Sequence, residues 1–270
     1  MWDSIIITPF VNVLLYIYHI VGQNFGLAII LFTVLIRLIT LPLTAQQIKG
    51  SQAMTNMQND KRWIDAQKKY KDDKEKLAQE QMKLYKELGV NPMAACLPTL
   101  IQFPIIIGLY QSIMITLASS PLELLKLTRH IYPGFLDVAN LLPLHSQFLW
   151  MNLGLPESLK LPFLPFGIPV LAIIVVATTF LQSKLMTPPS ANPNDQSAMA
   201  SKTMNLYMPF LMGYLALTFS SGLAVYFVTS NLMGIIQYGL MGKLDFKNLL
   251  NMFSGSKTKQ ISTIEKAKEK

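Results

Sequence analysis

Apolar residues in this chain fall into long, nearly unbroken runs rather than the short alternations of a soluble fold. A transmembrane helix needs about 20 mainly apolar residues, and the stretches 24–44, 97–118, 166–186, 204–219 and 222–241 meet that pattern. The last two meet at Ser220-Ser221-Gly222, which predicts a tight hairpin. An earlier apolar run, 4–21, is different: Asp3, Asn12, Tyr16, Tyr18 and His19 interrupt it, and Pro9 lies near its start. Those polar positions predict a helix lying in the membrane interface rather than across it. The run has no basic flank and no small-residue cleavage site, so it is not expected to be a signal peptide.

Polar stretches separate these runs. The pattern predicts an all-α membrane protein with five transmembrane helices, an N-terminal interfacial helix and a cytoplasmic helical hairpin. Its parts are an outer N-terminal segment (1–23), a first span (24–44), the hairpin (45–95) and four further spans within 96–241. Those four spans enclose an outer loop at 119–165 and a cytoplasmic loop at 187–203, and a basic tail (242–270) follows. Within the hairpin, Asp72 with Glu75 predicts the cap of a second helix, and Gly89 with Asn91-Pro92 its stop. Met54, Met57 and Ile64 on one arm and Leu77, Leu84 and Leu88 on the other predict a thin apolar seam.

Composition agrees: 51% of residues are hydrophobic and 14% charged, against roughly 25% charged in soluble domains. One cysteine and three scattered histidines exclude a disulfide framework and give no metal-ligand spacing, so neither metal nor cofactor is expected. Charge then sets the orientation. Residues 45–95 hold ten Lys/Arg against seven Asp/Glu and the tail holds seven against three, whereas 119–165 holds three of each. Lys and Arg collect in cytoplasmic loops, so 45–95 and the tail are expected inside and the N-terminus outside. The tail fits a lipid or ribosome contact and a plain positive-inside anchor equally. An RNA-binding tail is a competing reading, against which its seven basic residues are interrupted by other residues; no DNA partner is expected.

Arg37, inside LAIILFTVLIRLITLPLT, carries the most chemical information. A charge near mid-membrane costs ~2.5–3.5 kcal/mol on insertion scales, yet no Asp or Glu occurs in the five spans to pair with it. Water, carbonyls or hydroxyls must therefore meet it. Thr33, Arg37, Thr40 and Thr44 follow i, i+4, i+7, i+11 and share one helix face. Gln102, Gln111, Thr178, Thr179, Gln182, Ser230, Asn231 and Gln237 are candidates for the opposing walls. Each by itself is an ordinary helix–helix hydrogen-bonding group; together with an unpaired arginine they suggest a hydrated cationic cavity. Such a cavity suits an anion, a lipid head group or a polar peptide segment in transit. The spans carry no Ser/His, Cys/His or paired-carboxylate arrangement, so an intramembrane enzyme is not expected. An anion or small-solute transporter remains the alternative, although no inverted repeat supports it.

Four segments carry a family resemblance: GLAIILFTVLIRLITLPLT (26–44), YKELGVNPMAACLPTLIQFPIIIGLYQSI (85–113), FLWMNLG (148–154) and SGLAVYFVTSNLMGIIQY (221–238). In order and spacing they resemble the YidC-type membrane protein insertases, the YidC/Oxa/Alb group, in the short bacterial form without a large outer domain. The resemblance implies a groove open to cytoplasm and lipid, with Arg37 as its arginine, receiving the polar outer segment of a nascent membrane protein. It implies nascent membrane proteins and the lipid bilayer as partners, with the Sec translocon and the ribosome as further candidates at the hairpin and tail. It also implies a multi-pass bacterial cell-membrane location. Where the family commonly has P-x-G-L-x-L-Y-W, this chain reads Ser220-Ser221-Gly222-Leu223-Ala224-Val225-Tyr226-Phe227, with Phe227 at the Trp position. The groove aromatic is thereby expected at Phe227, with bulk retained and the indole donor lost. No lipobox cysteine stands near the start, so lipoprotein processing is not expected.

Overall fold

A computed structural model describes residues 1–70, 73–91, 97–117, 120–134, 144–159, 167–186 and 196–242. The tail beyond residue 242, Asp72, Pro92 and most of the 187–203 loop lie outside the described residues. Helix α1 (Thr8–Ile20) continues a wider π-helical turn, Asp3–Ile7. Its Val11, Asn12, Leu14, Leu15 and Tyr18 are buried, an i, i+3, i+4, i+7 stripe facing the bundle. Gly22 and Gln23 take left-handed backbone (φ 70° and 60°) to reverse the chain. Asn24 then caps α2 (Phe25–Ile39), its side chain accepting from Leu27 N at 3.0 Å.

One face of α2, with Phe25, Ala28, Ile29, Phe32 and Thr33, is buried. The other, with Leu27, Leu31, Leu35 and Leu38, is exposed. An apolar stripe of that length exposed on a helix is a surface suited to lipid. Helix α2 ends at Thr40, and α3 (Leu41–Gln58) leaves at a 61° bend. Pro42, in the first turn of α3, lacks the N–H that a straight helix would need there.

Helices α4 (Lys61–Lys69) and α5 (Lys74–Glu87) follow, with Asp60 and Asp73 as N-caps. The cap of α5 is therefore Asp73, which accepts from Lys76 N at 3.1 Å, one place beyond the expected Asp72. Arg62 at the start of α4 reaches Glu87 at the end of α5 at 3.2 Å, so the two helices run antiparallel. Their seam buries Met57, Trp63, Leu84 and Val90, with Met54 and Leu77 beside them. Leu88 is exposed instead, and the seam's largest side chain, Trp63, stands where the pattern had pointed to Ile64.

Helix α6 (Leu97–Thr116) precedes α7 (Pro121–Arg129), whose N-terminus carries a reciprocal capping box between Ser120 and Glu123. A two-stranded ribbon, β1 (Gln147–Phe148) and β2 (Met151–Asn152), leads to α8 (Val170–Met186), α9 (Gln196–Thr218) and α10 (Ser221–Leu240). Residues Ser221–Phe227 of α10 are all buried, so its first two turns are enclosed on every side. Helix α10 packs chiefly on α8 and α2, and α9 chiefly on α8. The expected tight turn joins α9 to α10, but the two helices pack less on each other than on α8. On α9 the side chains of Leu206, Tyr207, Phe210, Tyr214 and Leu217 are exposed.

Length and apolarity alone single out two described helices able to cross a membrane, Asp3–Ile20 and Ser221–Leu240, or three if the bent α2–α3 pair is one span. Fewer helices than the expected five thus qualify among the described residues, and the segment placed at the interface is one of them. Breaks explain part of the difference. Thr40 interrupts the first expected span, and α6 and α8 contribute shorter apolar helices, Gln102–Thr116 and Val170–Met186.

The ribbon is pinned at Gly26: an added Cβ there would fall on the ring of Phe148. Gly26→Ala is expected to destabilise the protein by about 1–3 kcal/mol through overpacking. Thermal unfolding in detergent checks this, and Gly22→Asn, in the open left-handed turn, serves as the near-neutral control.

Candidate functional site

The three threonines of the α2–α3 stripe spend their hydroxyl protons on their own helix. Thr33 donates to Ile29 O at 2.7 Å, Thr40 to Ile36 O at 2.8 Å and Thr44 to Thr40 O at 3.1 Å. Oxygen lone pairs remain, so the stripe can offer acceptors to a neighbour rather than donors.

Arg37 lies in the last turn of α2, where the partial negative charge of the helix C-terminus favours a cation. Its Nε donates to Ser230 Oγ at 3.0 Å, and Nη2 donates to the same oxygen. Among the described residues no carboxylate forms an ion pair with it. A guanidinium has five N–H donors, and a single hydroxyl oxygen receives the two bonds recorded. Gln237 approaches from the main-chain side, its Nε2 donating to Arg37 O at 2.8 Å.

Beside the guanidinium is a cavity of about 50 Å³, lined by Thr33, Ile36, Arg37, Thr40, Leu43, Thr44, Gln47, Gln102, Ile105 and Tyr226. Since a water needs on the order of 10–15 Å³ of such space, a few waters fit. Gln102 of α6 donates from Nε2 to the Tyr226 hydroxyl of α10, tying two walls together. Gln47 and Thr44 place the cavity toward the α2–α3 bend.

The opposite end of the bundle is plugged. Ser221 Oγ donates to Asn152 O at 2.6 Å and Leu155 O at 2.8 Å, and Gly222 N donates to Leu153 O at 3.0 Å. Buried Glu157 accepts from Trp150 Nε1 at 2.9 Å and from Leu171 N at 3.0 Å, capping the start of α8. The site is a cationic pocket closed at one end, with backbone sealing that end.

The chain as a whole has known counterparts. Residues 16–248 match the family described as the 60Kd inner membrane protein. The membrane protein insertase MisCA of Bacillus subtilis is 36% identical over 248 residues, covering 91% of this chain and 81% of that protein. The membrane protein insertase YidC of Oceanobacillus iheyensis is 35% identical, covering 90% and 84%. The chain belongs to the YidC family of membrane protein insertases. A crystal structure of active YidC insertase, with its first transmembrane domain resolved, superposes with a TM-score of 0.54 at 27% identity. The alignment covers 87% of this chain and 46% of that longer one.

Within this YidC-family bundle the expected wall residues divide. Thr33, Thr40 and Gln102 line the cavity with Arg37, and Ser230 and Gln237 bond to Arg37 directly. Thr179 and Asn231 are elsewhere. Asn231 Nδ2 donates to Thr179 Oγ1 at 2.8 Å and to Thr178 Oγ1 at 3.1 Å, joining α8 to α10. Gln182 packs against Gly234, where an added Cβ would strike its amide. Phe227 is 5% exposed in the apolar core, and its neighbour Tyr226 faces the cavity instead. Tyr226 was legible in principle, because it stands four residues, one helical turn, before Ser230.

The Asn231 tie is a structural bond. Asn231→Ala is expected to lower stability by about 1 kcal/mol, within the range of interhelical bonds in membranes, without altering any dependence on substrate charge. Melting temperature and an insertion assay on the same preparation test both halves.

Proposed function

We propose that this chain inserts nascent membrane proteins into the bacterial cell membrane through a hydrated, positively charged groove centred on Arg37. The observation that carries this reading is the guanidinium beside a cavity, bonded to a neutral hydroxyl and to no acid among the described residues. A cation left without its own counter-ion is poised for an acidic group brought by something else. The insertase names of the relatives in Bacillus and Oceanobacillus favour this over an anion transporter.

In this reading Arg37 lowers the cost of drawing the acidic outer segment of a substrate partway into the bilayer. At an effective dielectric of ~20, a charge pair at 4 Å is worth on the order of 4 kcal/mol before desolvation. That matches the scale of the cost of one charge in the hydrocarbon. Water in the cavity and the acceptor oxygens of Thr33 and Thr40 accompany the polar segment while its apolar part moves into lipid. Burial of that apolar part drives the reaction, so no catalytic residue or cofactor is required. The membrane potential adds ~2.3 kcal/mol per charge per 100 mV for negative segments moving outward.

Five spans, an interfacial α1, an outer N-terminus and a cytoplasmic C-terminus complete the proposal, supported by the excess of Lys/Arg in 45–95 and 242–270. The α4–α5 pair would then face the cytoplasm as a substrate-recruiting hairpin, with the Sec translocon and the ribosome as its partners there. The outer plug at residues 152–155 would keep the groove closed to the outside.

The test is reconstitution in proteoliposomes with single-span substrates, scored by protease protection of their outer segments. Arg37→Ala is expected to reduce insertion of an acidic outer segment about tenfold, one interaction of ~1.4 kcal/mol or more, while Arg37→Lys retains most of it. Insertion of acidic substrates at the unmodified rate by Arg37→Ala would overturn the electrostatic mechanism.

A further inference from the structure

We propose that Gln237 is a positioning residue for Arg37, its carboxamide clamping the α2–α3 bend so that α10 holds this arginine by both side chain and main chain; this rests on the groove reading above. Helix α2 stops at Ile39, so the Arg37 carbonyl belongs to the last turn, whose acceptors lack partners within the helix. The backbone bonds recorded around the break run from Thr40 N to Ile36 O and from Thr44 N to Thr40 O, both 2.9 Å. Neither reaches the Arg37 carbonyl. Gln237 Nε2 does so at 2.8 Å from a different helix, with Thr40 Oγ1 at a longer 3.4 Å.

Gln237 is 2% exposed, and its Oε1 is buried without a hydrogen-bond partner among the described residues. A buried amide with an unused acceptor is costly, which is a poor solution if helix adhesion were its only role. Its placement explains the donor half. Ser230 and Gln237 are seven residues apart, about two turns, and so share one face of α10. One takes the guanidinium and the other the carbonyl of the same residue. Arginine has a long, flexible side chain, so a small rotation of the α2 end at the bend would carry the guanidinium away from the cavity.

A double-mutant cycle separates positioning from adhesion. The carbonyl of residue 37 persists in Arg37→Ala, so a purely structural effect of Gln237 survives in that background while a positioning effect vanishes. The readout is the ratio of insertion of an acidic to a neutral outer segment by full-length protein in proteoliposomes. Gln237→Met, of similar length but without the donor, is expected to lower that ratio about five- to tenfold, the effect of one hydrogen bond. It should lower the ratio no further when added to Arg37→Ala. Gln237→Asn, which keeps the amide but is one methylene short, gives the same comparison if the Met variant does not fold. An unchanged ratio in the folded Gln237 variant, or equal loss in both backgrounds, overturns the inference while leaving the groove intact. An unchanged ratio in Arg37→Ala overturns the groove reading and this inference with it.

Discussion

The bond between Arg37 and Ser230 is the contact on which the arrangement of this bundle turns. Burying a guanidinium among apolar helices costs ~2.5–3.5 kcal/mol even on the mildest scale. A hydrogen bond to a charged group returns about 1.5–3 kcal/mol, and here both recorded bonds end on one oxygen. The offset is therefore incomplete from protein alone. The negative end of the α2 dipole adds to it, and the adjoining cavity leaves room for a few waters that a dry helix contact would exclude.

Helix α10 is the post around which this is built. Its first two turns are buried on all sides, and one stripe along it, Tyr226, Ser230 and Gln237, meets α6 and both ends of Arg37. A different face carries Asn231 to the threonines of α8. One face therefore serves the cavity while the other holds the bundle together. The bend at Thr40 completes the design: α2 ends at Ile39, and the Arg37 carbonyl of its last turn is taken by Gln237 of α10.

Closure at one end and the cavity at the other have separate physical origins. At the start of α10 the free backbone and Ser221 hydroxyl donors are satisfied by main-chain carbonyls of 152–155, and Glu157 satisfies the start of α8. Such ends need no water. At the bend, the polar groups of Thr40, Thr44 and Gln47 face a cavity instead.

Sequence alone determined that the chain is a helical membrane protein, that Arg37 is its exceptional charge, and that Thr33 and Thr40 share its face. Each follows from residue type and helical period, which are local properties. It also carried the family, through the order of four motifs. Tertiary packing alone decided which of the remaining polar residues reach the arginine. Periodicity fixes the angle of one side chain relative to another on the same helix, but not the rotation of that helix against its neighbours. That rotation sends Tyr226 rather than Phe227 to the cavity, turns Asn231 and Thr179 toward each other, and brings Gln237 to a carbonyl 200 residues away.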